Sequence, residues 1–232
     1  MSKTKKRLLI IEPHSDDGII SAGGFLEKFR DRYEYHFVLV VASGLPLHHN
    51  KFLTREQRLG EFEAYVRYFN GTWHRGTDKD TDLPLDLDSR LDVYPRRELV
   101  SRIEKMIESI EPEVLMCTGP SFHHDHTAVY EAMIAATRPT TRFCPKEIYI
   151  LENPTYVHAT NPLTRFQPDT YVCLSKEELD RKLECFRSCF PSQIRDDKNY
   201  LSIDGIRSWA RYRGIEARCD YAEAFQTYLR VT

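Results

Sequence analysis

Apolar and polar positions along this chain follow two periods that take turns. Leu8, Leu9, Ile10 and Ile11 form a short apolar run, which reads as a buried strand over Arg7 to Glu12 that Pro13 ends. A helix over Gly18 to Arg30 follows, with Ile19, Ile20, Phe25, Leu26 and Phe29 apolar and with Gly23 and Gly24 allowing close packing. Tyr35 to Val41 then becomes wholly apolar and predicts a buried parallel strand. Leu59, Phe62, Val66 and Phe69 line one face of a helix from Thr54 to Phe69, which opens on a capping-box pattern and stops at Asn70-Gly71. Further helices are predicted over Arg96 to Ile110, Thr127 to Thr137, Ser175 to Phe190 and Asp204 to Arg213, and strands over Val114 to Cys117, Glu147 to Leu151 and Thr170 to Leu174. Strands alternating with helices of this length predict βαβ units, an α/β fold and a mostly parallel sheet, read as one domain over residues 1–232. Gly76 to Asp92 lacks any sustained period and reads as a long polar loop of the kind that carries function.

Charge and composition narrow the classes of partner. With 33 basic and 35 acidic residues the chain has a formal charge of -2, which offers no argument for nucleic acid or for electrostatic membrane binding. No apolar run approaches a membrane span, and Leu8 to Ile11 is far short of a signal-peptide core. The six cysteines show no CxxC pair, and Cys185 and Cys189 share a helix face in poor disulfide geometry, so free thiols in a reducing, cytoplasmic setting are expected. A small-molecule substrate is the expected partner, with a homo-oligomer left open.

The candidate chemistry lies at two strand ends. The first strand runs into His14, Ser15, Asp16 and Asp17, and the strand Val114 to Cys117 opens toward His123, His124, Asp125 and His126. In a parallel sheet both emerge at the carboxyl edge, where open α/β sheets keep their ligand sites. Imidazole and carboxylate suit zinc, and a hydrolytic zinc keeps three protein ligands beside an open position, a number that His14, Asp17 and His126 supply. Asp16 is then the candidate base, His123 the imidazolium that stabilises an oxyanion or protonates a leaving amine, and Asp125 the group that holds His123 in one tautomer. Taken alone, Asp16-Asp17 reads as an N-cap and first-turn charge, and His123 to His126 as a solvated loop. Their joint placement favours a shared metal, with zinc ahead of iron or cobalt.

These motifs resemble the PIG-L/LmbE family of zinc-dependent N-acetylglucosaminyl deacetylases. His14-Ser15-Asp16-Asp17 matches the family's first motif, and His123-His124-Asp125-His126 its His-x-Asp-His. The resemblance implies a Rossmann-like three-layer α/β/α fold, one Zn2+ on His14, Asp17 and His126, Asp16 as general base and His123 at the tetrahedral intermediate. It also implies removal of an N-acyl group, N-acetyl foremost, from an amino sugar or its conjugate by attack of zinc-bound water. Arg58, in an Arg-x-x-Glu-x-x-Ala helix with Glu61 and Ala64, and Asp82 in the polar loop are weaker matches to substrate-contacting positions; an exposed helical arginine is more often a surface charge. Lys182, Ser192-Gln193, Arg213-Gly214 and Tyr221 to Phe225 fall on the carboxyl-terminal pattern. Two positions depart from it: Gly18 stands where an acid usually follows the paired aspartates, and Glu12-Pro13 precedes the histidine where a small residue and alanine are common. A non-catalytic member that binds metal or a sugar-like ligand is the alternative; a dinucleotide fold fails because no Gly-x-Gly-x-x-Gly follows the first strand.

Overall fold

The computed structural model describes residues 4–43, 45–46, 52–76, 82–87, 90–154, 166–196 and 198–232. In chain order the elements are β1 (Lys6–Glu12), α1 (Asp17–Lys28), β2 (Tyr33–Leu39), β3 (Leu45–Pro46), β4 (Phe52–Leu53), α2 (Arg55–Tyr68), β5 (Thr72–Trp73), α3 (Arg96–Ile110), β6 (Val114–Thr118), α4 (His124–Ala136), β7 (Glu147–Leu151), β8 (Thr170–Leu174), α5 (Lys176–Cys189), α6 (Ile203–Ala217) and β9 (Tyr221–Arg230). Seven of these strands form one sheet in the order β5-β2-β1-β6-β7-β9-β8. It is a Rossmann-like, mostly parallel sheet: β2, β5, β6 and β7 run with β1, and β9 is inserted antiparallel between β7 and β8.

Period-two alternation divides the apolar side chains between the two faces of the sheet. Leu8, Ile10, Tyr35, Phe37, Val114 and Met116 pack into one core with α1, α2 and α5. Leu9, Ile11, Val38, Val40, Leu115 and Cys117 pack into a second core with α3 and α4. Because β1, β2 and β6 are covered on both faces, they read as continuous apolar runs rather than alternating ones. Capping follows the predicted chemistry: Thr54 and Gln57 form a capping box on α2, Ser175 and Glu178 another on α5, and Asn70 takes a left-handed φ of 51° just past α2.

Three expectations are corrected. The carboxyl-terminal residues Tyr221–Arg230 form a strand that periodicity did not predict, because Ala222, Glu223 and Ala224 carry little strand preference and owe their conformation to pairing with β7 and β8. Helix α6 runs on to Ala217 rather than ending at Arg213. Cys173 and Cys219 form a disulfide with a Cα–Cα distance of 6.1 Å, so cysteine usage no longer argues for a reducing, cytoplasmic setting. The β8–β9 pairing places Cys173 opposite Ala222, three residues beyond Cys219, an adjacency their spacing along the chain does not show. Cys185 and Cys189 are free, as expected. Residues 77–81 and 88–89 of the long polar loop, and residues 155–165, lie outside the described residues. No described helix is long and apolar enough to cross a membrane.

Candidate metal centre

Strand β1 delivers its last residues to the carboxyl edge of the sheet, where the chain is fastened to its neighbour. The carbonyls of Glu12 and Pro13 accept N–H groups from Val40 and Val41 at 2.8 and 3.1 Å. From this anchored turn His14 projects, and Asp17 is the first residue of α1. Beside it, Ile11 pairs with Cys117 near the end of β6, so the segment after β6 emerges next to the turn. That segment becomes helical earlier than the pattern predicted. Helix α4 starts at His124 rather than Thr127, and the His123 ring caps it by accepting the Asp125 N–H on Nδ1. An imidazole is not one of the usual capping side chains, which is why the start was placed too late.

The two ends meet in a tight triangle. His14 Nδ1 lies 3.1 Å from His126 Nε2. Asp17 completes it, with Oδ2 at 3.5 Å from His14 Nδ1 and Oδ1 at 3.4 Å from His126 Nε2. Ligand atoms held about 2.0–2.1 Å from a tetrahedral zinc lie about 3.3 Å apart, so these spacings fit one divalent ion. The ring nitrogens of His14, His123 and His126 also lie within 4.8 Å of one another, so His123 borders the same position.

Each member of the triangle is held from behind. Asp17 accepts the His14 N–H at 2.8 Å and the Asn153 side-chain amide at 3.1 Å. Ser121 Oγ stands 3.0 Å from His126 Nδ1. Asp125 is fully buried, accepts the Leu91 N–H at 2.9 Å and lies 3.1 Å from His14 Nε2. Asp125 therefore reaches two histidines: its carboxylate lies beside His14 Nε2, and its backbone N–H engages His123 Nδ1. Ser121 and Asn153 were missed. Both follow a strand's carboxyl end, as the chosen histidines do, and the same edge argument would have found Asn153 directly after β7.

A protein-family model described as PIG-L: GlcNAc-PI de-N-acetylase matches residues 9–137, a stretch that holds both motifs. The chain belongs to the PIG-L family. No curated protein matches it in sequence. Among solved structures it is similar to the N,N'-diacetylchitobiose deacetylase of Pyrococcus horikoshii, at TM-score 0.66 and 21% identity over 97% of this chain and 84% of that one. It is also similar to the teicoplanin deacetylase Orf2, at TM-score 0.68 and 17% identity over 95% and 97% of the two chains. GalB of Pseudomonas putida KT2440, a 4-carboxy-2-hydroxymuconate hydratase, is alike at TM-score 0.72 and 18% identity over 98% of each chain. At these identities the likeness is one of fold.

Electrostatics separate the two aspartates of this PIG-L-family turn. Burial raises the Asp16 carboxyl to about 6, assisted by the neighbouring Asp17 charge and opposed by His14 and Arg58. Burial acts on Asp17 in the same sense but is outweighed by His126 and His14, which hold it well below the usual carboxylate range. Burial, then the neighbouring His14 and His126, brings His123 down to about 4. These effects favour the neutral ring over the imidazolium expected from sequence, and with Nδ1 accepting from Asp125 the neutral ring carries its proton on Nε2. Arg58 is buried and close enough to influence Asp16, against the reading of a surface charge. Asp82 is exposed, its carbonyl held by Arg102, and among the described residues it makes no contact with the cluster. Trp73 packs on Phe62 and under Arg75.

Proposed function

We propose that the protein is a metal-dependent N-deacetylase acting on an N-acyl amino sugar or its conjugate, N-acetyl foremost. The triangle of His14 Nδ1, Asp17 and His126 Nε2 carries this reading, because three donors converge at the spacing a tetrahedral ion requires. Zn2+ is the favoured occupant of this donor set, and when bound it supplies Lewis acidity that polarises an acyl carbonyl and makes water a competent nucleophile.

The chain's own residues divide the remaining work. Asp16, ionised at neutral pH yet raised to about 6, takes the proton of the attacking water and returns it to the departing amine. His123 donates its Nε2–H to the developing oxyanion as a neutral hydrogen-bond donor. Arg58, whose charge opposes the rise of the Asp16 carboxyl, helps to keep the base ionised and meets a polar substituent of the substrate. Carboxylate and protonated amine are the products: one proton of the water reaches the amine through Asp16, the second is lost from the nascent carboxylic acid and ends on the amine, and no net proton stays on the enzyme.

The test is amine release from N-acetylglucosamine, its glycosides and nucleotide-linked N-acetyl sugars, with Asp16→Asn as control. That variant should keep its zinc and lose about 100- to 10,000-fold in kcat, the usual worth of a positioned base. Near-normal turnover would remove Asp16 from the role. Zinc-loaded protein that leaves every acetyl sugar intact would favour a binding member without turnover, or water addition to an unsaturated acid of the kind named for GalB.

A further inference from the structure

The chain's two departures from its family's first motif meet in one contact. Glu12, the last residue of β1, is fully buried, and its Oε2 accepts the Gly18 N–H of the first turn of α1 at 2.7 Å. A Cβ on Gly18 would lie 2.5 Å from the Glu12 carboxyl carbon and 2.6 Å from each oxygen. The Glu12 carboxylate thus fills the volume in which any side chain at position 18 would begin. With Glu12 in this place, position 18 has no room for a side chain.

We propose that Glu12 is a positioning residue, its carboxylate bracing the His14–Asp17 turn from the end of β1 in place of a side chain from position 18. The proposal rests on the metal-site reading above. The turn is held on one side by the Glu12 and Pro13 carbonyls on Val40 and Val41, and on the other by this carboxylate on the first helical turn. Its ligand residues, His14 and Asp17, lie between the two fastenings. The brace is costly: Glu12 Oε1 is buried with no hydrogen-bond partner among the described residues, and the group stands near the Asp16 and Asp17 charges. A cost of this kind beside a ligand turn marks a functional constraint, since the apolar core offers many less expensive fillings.

The experiment follows zinc titration calorimetry of the metal-stripped protein and hydrogen exchange at the Gly18 amide in three variants. Glu12→Gln keeps an oxygen acceptor of the same size and should hold both readouts within about threefold of wild type. Glu12→Ala should speed Gly18 exchange and weaken zinc binding about 10- to 100-fold, as loss of a group that orients ligands does. Gly18→Ala should reproduce the weakening with Glu12 intact, because its methyl displaces the carboxylate. Wild-type zinc affinity and unchanged exchange in Glu12→Ala, with only the melting temperature altered, would overturn the proposal. Failure of the metal reading shows separately, as a wild-type chain that takes up no zinc; Gly18 exchange then still decides whether Glu12 braces the turn.

Discussion

Two buried polar clusters flank α1, and they are built on opposite rules. On the side of α5 and β9, Lys182 and Glu223 pair at 2.6 Å; Lys182 also donates to the Ile20 carbonyl, and Glu223 accepts the N–H groups of Gly24 and Phe25. Nearby, Glu152 accepts from both Arg213 and Trp209. Every charge there meets an opposite charge or a dipole. At the carboxyl edge of β1 and β6, by contrast, two imidazole nitrogens face one another at 3.1 Å, and paired aspartates lie side by side on one turn. A cluster of paired charges fixes geometry, whereas donor atoms converging on one point form a group that could hold a metal ion.

Breaking the satisfied cluster should have the largest effect on folding. Lys182→Met leaves Glu223 buried without its counter-charge and should cost about 3–5 kcal/mol in urea unfolding, while the zinc stoichiometry of the folded fraction stays unchanged. Equal loss of zinc and stability would mean that the two clusters are one unit.

The convergent cluster should announce itself in pH dependence. Asp16 works only when ionised, and its raised value of about 6 means that it holds its proton until the solution is less acidic than an ordinary aspartate requires. Activity should therefore fall as pH drops through about 6 or below, a bound cation moving the limb only downward. Asp17, held far below its usual range, stays ionised through that window and adds no limb. Because His123 is already neutral, no loss of rate on the alkaline side is expected from it. Profiles of kcat/KM for wild type and Asp16→Asn check this; an acid limb that survives in the variant belongs to another group.

A smaller effect separates ligands from the groups behind them. Ser121→Ala removes the oxygen beside His126 Nδ1 and should weaken zinc about tenfold while leaving the melting temperature of the metal-free protein nearly unchanged. Affinity equal to wild type would make Ser121 part of the helix start alone.

The legible and illegible parts of this molecule follow the same division. Strands β1, β2 and β6 announced themselves because burial on both faces leaves unbroken apolar runs, and the ligand turn because Pro13 stops such a run directly before a histidine and two aspartates. What escaped is what only tertiary contacts define. Strand β9 is held by its partners rather than by Ala222 and Glu223, the Cys173–Cys219 bond depends on strand pairing, and the early start of α4 depends on an imidazole cap. The contact of the Asp125 carboxylate with His14 escaped because spacing along a helix shows which residues are near in sequence, while His14 arrives from 111 residues away. Lys182, Arg213 and Glu223 stand out in the sequence as strongly as the ligands, and only their pairing in space reveals them as framework.

Zinc titration of metal-stripped wild type beside His126→Ala tests the metal centre most directly. The wild-type protein should take up one equivalent, and His126→Ala, still folded by circular dichroism, should bind at least about 100-fold more weakly, since only two of three ligands remain. Equal uptake by the two proteins would contradict a metal centre built on His14, Asp17 and His126.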